Sequence, residues 1–327
     1  MQALKLKAPA KINLFLEVTG KRVDGYHDLA TLFAKISLFD EVSIKKVLRP
    51  GISLKVVNKA DFDLSKTEDN IAYKAALKFF EAFRIKPAVE IKLLKRIPVG
   101  AGLGGGSSDA AAVLKALGRL YGLNIERNFK KLHNLALNLG SDVPFFLTEG
   151  TFAAGTGRGE ILKPLKVRGR LPFIVLVYPG APVYTGPVYR ALKPVPPGEK
   201  TGNIKKFKTL IKAVRSGAPL ESWGGLLFNR LEGPVLSSFA PALSPGPSKG
   251  RGPAKLLLSK ADLPAYKAVR EAKAGLVKAG ASAVLMSGSG ASVFALEKSR
   301  SAASRIAKSV RRTGRKIFLL NFLLKSH

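Results

Sequence analysis

The stretch PVGAGLGGGSSDAAAVL, Pro98 to Leu114, places five glycines within the seven residues from Gly100 to Gly106, directly before a run of good helix formers. Glycine loses more conformational freedom on folding than any other residue, so such a cluster must be offset by something that only glycine allows. One such thing is the convergence of backbone N–H groups on an anion. The first turn of a helix carries orphan N–H groups and a partial positive charge, and a chain without Cβ atoms can approach closely. Ser107 and Ser108 follow where the helix starts, able to cap it or to donate to phosphate or a bound metal. Pro98–Ser108 is therefore read as a phosphate cradle. A tight turn or hinge without a ligand is the bland alternative.

Several known cradles do not fit. Gly100, Gly102 and Gly105 match G-x-G-x-x-G and Glu126 lies near the acidic position, but the preceding strand is not N-terminal and steady βαβ alternation is missing. A P-loop needs Lys after Gly105, where the chain has Gly106 and Ser107. Neither H-R-D nor D-F-G occurs, which excludes a protein kinase.

The rest of the chain frames this loop. Strands are predicted over 2–18, 30–39, 41–47, 53–58 and 89–97, with a helix from Asn70 whose Ala72, Ala75, Ala76, Phe79, Phe80 and Phe83 share a face. A helix after the glycines repeats Val113, Leu114, Leu117, Leu120 and Tyr121 at threes and fours, and another runs over 128–140 to Gly140. Strands follow near 151–154, 160–162 and 172–178. The second half, from about 160, holds helices at 203–215, 222–232, 264–279 and 299–313 and strands at 282–286, 291–297 and 316–322. Pro, Gly and Ser mark 237–255 as a flexible loop or insertion. Elements mix without regular alternation, so the fold class is α+β, in two domains, 1–160 and 161–327.

Composition bounds the function. Fifty-five Lys and Arg against 22 Asp and Glu give a net charge of +33, which attracts phosphorylated metabolites, nucleotides or nucleic acid. The basic residues are scattered, which also suits a simply solvated surface; the densest group lies between Lys298 and Lys316. Without cysteine there are no disulfides or thiolate metal sites, and three scattered histidines make a poor metal cluster. No signal peptide or membrane span is visible, so a cytoplasmic protein is expected.

PVGAGLGGGSSDAA resembles the central motif of the GHMP small-molecule kinases. APAKINLFLEVTGKRVDGYHDL (Ala8–Leu29), LGSDVPFFL (Leu139–Leu147), LVYPGAPVYT (Leu176–Thr185) and LMSGSGASVFAL (Leu285–Leu296) resemble further motifs of that family in the same order. The segment DGYHDL points to the branch whose acceptor is a cytidine-diphosphate-linked methylerythritol, phosphorylated on its 2-hydroxyl in non-mevalonate isoprenoid biosynthesis. The resemblance implies an N-terminal ribosomal-protein-like domain, a C-terminal ferredoxin-like domain and an active site in the cleft between them. It implies ATP as phosphoryl donor, with Mg²⁺ whose protein ligands stay unassigned, and a small-molecule acceptor rather than an obligatory nucleic acid. No oligomeric state follows from it.

By the same resemblance, Pro98, Val99, Gly100, Ala101, Gly102, Leu103, Gly104, Gly105, Gly106, Ser107 and Ser108 would hold ATP. Asp142, in Gly-Ser-Asp-Val-Pro, is the expected base, although its own turn chemistry suffices to explain it. Alternation puts Lys11 and Asn13 on one strand face; the resemblance turns that face to the cleft, with Lys11 beside Asp142 and Asn13 on the substrate. Tyr26 and His27 can stack on and hydrogen-bond a pyrimidine, or be an ordinary loop pair. Thr185 and Tyr189 are expected on the substrate side. Gly288 and Gly290 form either a plain turn or a cleft wall. Two positions depart from the family: Tyr184 stands where a small residue is common, and Arg230 where Asp is usual. Rival readings are another GHMP kinase, of the mevalonate or homoserine type, and a non-enzymatic nucleic-acid binder.

Overall fold

Two long strands set the frame. β1 (Leu4–Lys21) and β2 (His27–Lys46) pair antiparallel from Leu4 opposite Ile44 to Lys21 opposite His27, in a computed structural model that describes residues 3–58, 68–193, 196–237, 263–312 and 314–323. The two strands expected over 30–39 and 41–47 are one. Asp40, which interrupts the apolar pattern, is not a break because it is fully buried and accepts a hydrogen bond from Lys95. Register shifts at Pro9/Ala10, Asn13/Phe15 and Val18/Gly20 let the pair bend without ending.

β3 (Gly51–Asn58) and β4 (Ala88–Lys95) extend this sheet in the order β3-β4-β2-β1. Between them runs α1 (Ile71–Phe83), capped by Asn70, whose side chain accepts from the Ala72 amide. Its predicted apolar face is its buried face, Phe83 alone staying partly exposed. α2 (Gly105–Leu120), α3 (Phe129–Leu139) and α4 (Val143–Leu147) follow, and α2 packs on β1, β2 and α1. α3 stops at Gly140 as expected, in extended rather than left-handed backbone.

β5 (Phe152–Thr156) pairs with β2, and β6 (Ile161–Leu165) with β5. The first sheet thus continues past residue 160, through Leu165. It also takes a strand from the second half: β8 (Phe228–Asn229) lies parallel to β1. The second sheet is antiparallel, in the order β11-β7-β10-β9, from β7 (Phe173–Tyr178), β9 (Ala283–Met286), β10 (Val293–Glu297) and β11 (Lys316–Leu320).

The helices of the second half are α5 (Thr185–Arg190), α6 (Pro197–Ser216), α7 (Leu220–Trp223), α8 (Glu232–Ser237), α9 (Leu263–Lys278) and α10 (Arg300–Ser309). The single helix expected over 222–232 is not formed. Gly224 and Gly225 end α7 in a 3-10 turn, and the chain then drops into β8 to pair with β1. The loop expected at 237–255 lies, beyond Ser237, outside the described residues. One apolar core joins β1 and β2 to the second sheet and to α6 and α9; another lies under α1 and α2.

Candidate active site

The glycine turn is tied down on two sides. The Leu103 carbonyl accepts from the Lys11 amide at 2.9 Å, fixing the turn to β1. The Gly100 carbonyl accepts from the amides of Val183 (2.9 Å) and Ala291 (3.2 Å), and the Ala101 carbonyl from Ser292 (3.1 Å). Ser287 Oγ donates to the Gly102 carbonyl at 2.9 Å. A Cβ on Gly102, at φ +71°, would overlap the Ser287 carbonyl oxygen. Gly100 and Gly102 thus let the second half of the chain dock on the turn. The Ser287–Gly290 turn is held in place by Asn229, whose Nδ2 donates to the carbonyls of Met286 (2.8 Å) and Gly288 (2.7 Å).

The helix after the turn starts past Gly104. That glycine is the N-cap of α2 in left-handed backbone, φ +67°, with no side-chain cap. Of the two roles open to Ser107 and Ser108, capping is not the one taken: both lie inside the first turn. The amides of that turn open to a cleft of about 1100 Å³. Only one of the serines belongs to it. Ser107 lines the cleft, whereas Ser108 is buried and lines a separate cavity. Consecutive helical residues point about 100° apart, and here that turn of the helix sends the two serines to different surroundings.

Asp142 stands at the N-cap of α4 and makes no capping bond, leaving its carboxylate to the cleft. Lys11 Nζ lies 3.4 Å from Asp142 Oδ2, with the Lys11 side chain 5% exposed and that of Asp142 33%. Lys11 Nζ donates to Asn13 Oδ1 at 2.8 Å, Asn13 Nδ2 to Thr31 Oγ1 at 2.8 Å, and Thr31 Oγ1 to the Phe15 carbonyl at 2.7 Å. The shared strand face read from alternation is thus a buried chain of hydrogen bonds that fixes the ammonium. Lys11 also lies beside both glycine turns: a Cβ on Gly104 would come 3.2 Å from Lys11 Cε, and one on Gly288 3.4 Å from Nζ.

A ring-lined pocket adjoins the pair. His27 and Tyr189 have centroids 5.1 Å apart, and the Arg158 guanidinium sits 4.4 Å over the Tyr26 ring. Burial, helped by the Lys21 charge, lowers the His27 pKa, so its imidazole is neutral near pH 7 and has one donor and one acceptor. Burial, then the Asp142 charge, raises that of Tyr189, keeping its hydroxyl protonated. Thr185 Oγ1 and Ser289 Oγ, 2.9 Å apart, join α5 to the Ser287–Gly290 turn at the cleft.

Beneath the glycines lies a buried ionic group. Lys95 donates to Asp40 and, at 2.6 Å, to Asp109 Oδ2, and a Cβ on Gly105 would come 3.3 Å from Lys95 Nζ. Asp109 lines the cleft, and its buried Oδ1 has no hydrogen-bond partner among the described residues. Burial pushes its pKa up to about 8 against the opposing pull of Lys95. Asp109 and Ser107 both line the cleft, and a carboxyl oxygen and a hydroxyl there suit Mg²⁺, a hard cation that takes one or two protein oxygens and leaves the rest to phosphates and water.

Every expected site residue except Ser108 lines the cleft, including Val99, Asn13 and Thr185. Tyr184, 65% exposed, lies outside it. Arg230 is explained by a buried charge: Nε and Nη2 grip Glu17, fully buried in β1, at 2.8 and 2.9 Å, and Nη2 also reaches Glu199 at 2.9 Å. Sequence reasoning passed over Arg158, Lys95, Asp109 and Ser289. For Arg158 a signal existed in Gly157-Arg158-Gly159, a basic residue between two glycines of positive φ; for Lys95 and Asp109 it did not, since their partner Asp40 is remote in sequence.

Family models described as the GHMP kinases N terminal domain and GHMP kinases C terminal match residues 70–150 and 252–316. The 4-diphosphocytidyl-2-C-methyl-D-erythritol kinase of Methylacidiphilum infernorum is 50% identical over 183 residues, 56% of this chain and 62% of that one. The kinase of the same name from Exiguobacterium sibiricum is 35% identical over 325 residues, covering 98% of this chain and 99% of its own. A crystal structure of 4-(cytidine 5'-diphospho)-2C-methyl-D-erythritol kinase superposes with a TM-score of 0.70 at 35% identity, covering 97% of this chain and 99% of the other.

Proposed function

The chain belongs to the 4-diphosphocytidyl-2-C-methyl-D-erythritol kinases, within the GHMP kinases, and from that premise we propose how its cleft performs the reaction. The protein is an ATP-dependent small-molecule kinase acting on 4-diphosphocytidyl-2-C-methyl-D-erythritol in isoprenoid biosynthesis. The acceptor atom is the 2-hydroxyl oxygen. Its proton passes to Asp142 as the bond from that oxygen to the γ-phosphorus forms and the bond from the γ-phosphorus to the ADP oxygen breaks. Lys11, held by Asn13, orients the hydroxyl and offsets the charge gathering on the transferred group. Amides of the first turn of α2 and the Ser107 hydroxyl hold the ATP phosphates. Ser107 and Asp109 would hold Mg²⁺, which when bound neutralises phosphate charge.

Tyr26, His27 and Tyr189 receive the cytosine, by stacking and by the two nitrogens of a neutral imidazole. The observation that carries this reading is the Lys11–Asp142 pair beside the open N-terminus of α2, in one cleft with the aromatic pocket. A division of the chain after Leu165, and a cytoplasmic setting, belong to the same reading; no helix among the described residues is long and apolar enough to cross a membrane. The decisive experiment is ATP consumption by purified protein with the diphosphocytidyl acceptor, with mevalonate and with homoserine. Turnover with the first alone is expected. Turnover with mevalonate or homoserine would overturn the acceptor assignment.

A further inference from the structure

A second cavity, of about 440 Å³, opens where Ser108 rather than Ser107 points. Its walls come from β1, β2, α2 and α4, and the kinase reaction derived above makes no use of it. Lys35, 7% exposed in β2, donates from Nζ to the Thr148 carbonyl at 2.7 Å and lies 5.1 Å over the Phe145 ring. Lys115, on α2, donates from Nζ to the Phe146 carbonyl at 2.7 Å. Each ammonium carries three protons, so one carbonyl apiece leaves donors to spare. Ser108 Oγ is fully buried and has no hydrogen-bond partner among the described residues. Lys7 stands exposed at the opening.

Two cations largely withdrawn from water in one pocket are costly without an anion. Burial, then the charge of Lys115, brings Lys35 down to about 7; burial, then Arg119, brings Lys115 to about 8. The Glu149 carboxylate opposes both shifts without cancelling them. The remaining walls are apolar, with Leu6, Phe39, Phe146 and Leu323, and the volume lies in the range of small-molecule sites.

We propose that this cavity is a second ligand site, for a small organic phosphate whose phosphoryl oxygens meet Lys35, Lys115 and Ser108 and whose apolar remainder lies against Phe39 and Phe146. Phosphate suits the site better than carboxylate because two ammonium groups and a hydroxyl offer more donors than two oxygens and one charge can use. The site communicates with the ATP turn through Phe146. That ring lies 3.1 Å from where a Cβ on Gly104 would stand, and its helix begins at Asp142.

The test is calorimetric titration of the full chain with phenyl phosphate while a non-hydrolysable ATP analogue and CDP fill the main cleft. Inorganic phosphate and benzoate serve as comparison ligands. One additional site is expected, with benzoate weaker than phenyl phosphate. Lys35→Met and Lys115→Met should each weaken it about tenfold, as loss of a charged hydrogen bond does, with Ser108→Ala weaker in effect. Basal turnover of Lys35→Met should stay near wild type, which also verifies its fold. At saturating phenyl phosphate the KM for ATP should shift, and the shift should vanish in Lys35→Met. Absence of binding with the cleft filled, or unchanged affinity in both lysine variants, would overturn the site. Benzoate binding as tightly would overturn the phosphate assignment, and an unmoved KM at saturation would overturn the coupling.

Discussion

Lys11 on β1 and Asp142 at the start of α4 meet at 3.4 Å across the mouth of the glycine turn, the lysine buried and the aspartate one-third exposed. They come from elements far apart in the chain: Lys11 is buried in β1 and bonded to Asn13, and α4 draws no capping bond from Asp142. Asp142→Asn keeps shape and removes the proton acceptor, and Lys11→Met keeps the stem and removes the charge. Each should lower kcat by about 10² or more. The double variant should be little worse than the worse single one, because the two act as a unit. Steady-state kinetics on the three proteins decides it; near-normal kcat in either single variant would move the chemistry to other residues.

Gly102 and Gly122 have nearly the same backbone, φ +71° and +67°, but only Gly102 is approached by another part of the chain. Alanine costs about 1–2 kcal/mol at either through left-handed strain. Gly102→Ala must also push away the turn at Ser287. Its Tm should therefore fall further than that of Gly122→Ala, and ATP affinity should drop in Gly102→Ala alone. Equal Tm values would mean that the docking contact yields freely.

Arg230 neutralises Glu17 inside the protein, together with Asn203, which donates to Glu17 Oε2 at 2.6 Å. Arg230→Ala strands a buried carboxylate and should cost about 3–5 kcal/mol in urea unfolding. Adding Glu17→Gln should recover part of that loss. Arg230→Asp, which installs the residue more usual in the family, should be worse than alanine here, because it sets two carboxylates together.

Tyr189 and His27 line the pocket assigned to the acceptor's base. Tyr189→Ala should raise the acceptor KM with the ATP KM steady, and Tyr189→Phe should be milder because the stacking area survives. With His27 held below its ordinary pKa, the acceptor KM should stay flat from pH 7 to 8 and change only on acidification. An ATP KM that moved instead would put the pocket on the nucleotide side.

Lys35 links stability to pH. Its pKa falls from 10.5 to about 7 in the folded state, so between those values the native protein holds fewer protons than the unfolded chain. Its contribution therefore grows as pH rises through that window and is absent below it. The stability of wild type minus that of Lys35→Met should rise by about 2 kcal/mol between pH 7 and pH 9, on the order of 1.4 kcal/mol per unit discounted for relaxation. Urea unfolding of both proteins at the two pH values measures it, and a flat difference would show that Lys35 is solvated.

The glycine turn, the helix after it and the strand that carries Lys11 and Asn13 on one face are set by local patterns. Left-handed backbone favours glycine, helical period is 3.6 residues, and strand period is two. These are properties of neighbours in the chain, so the sequence by itself determined them, and with them the class of chemistry at α2. The tertiary structure alone decided which glycine serves which purpose. Gly102 clears Ser287 and Gly104 opens the helix, yet within GAGLGGG nothing distinguishes them. It decided that Ser107 faces the cleft and Ser108 the second cavity, since a 3.6-residue period separates adjacent serines without saying which side packs on β1 and β2. It joined the expected strands 30–39 and 41–47 through Asp40, because Lys95 removes the cost of burying that charge. It also set β8 inside the helix predicted over 222–232, where Phe228 and Asn229 pair with Phe15 and Leu16 of β1. Each of these outcomes depends on a partner far away in the chain, and the energy of such a contact exists only after the backbone has brought the two together.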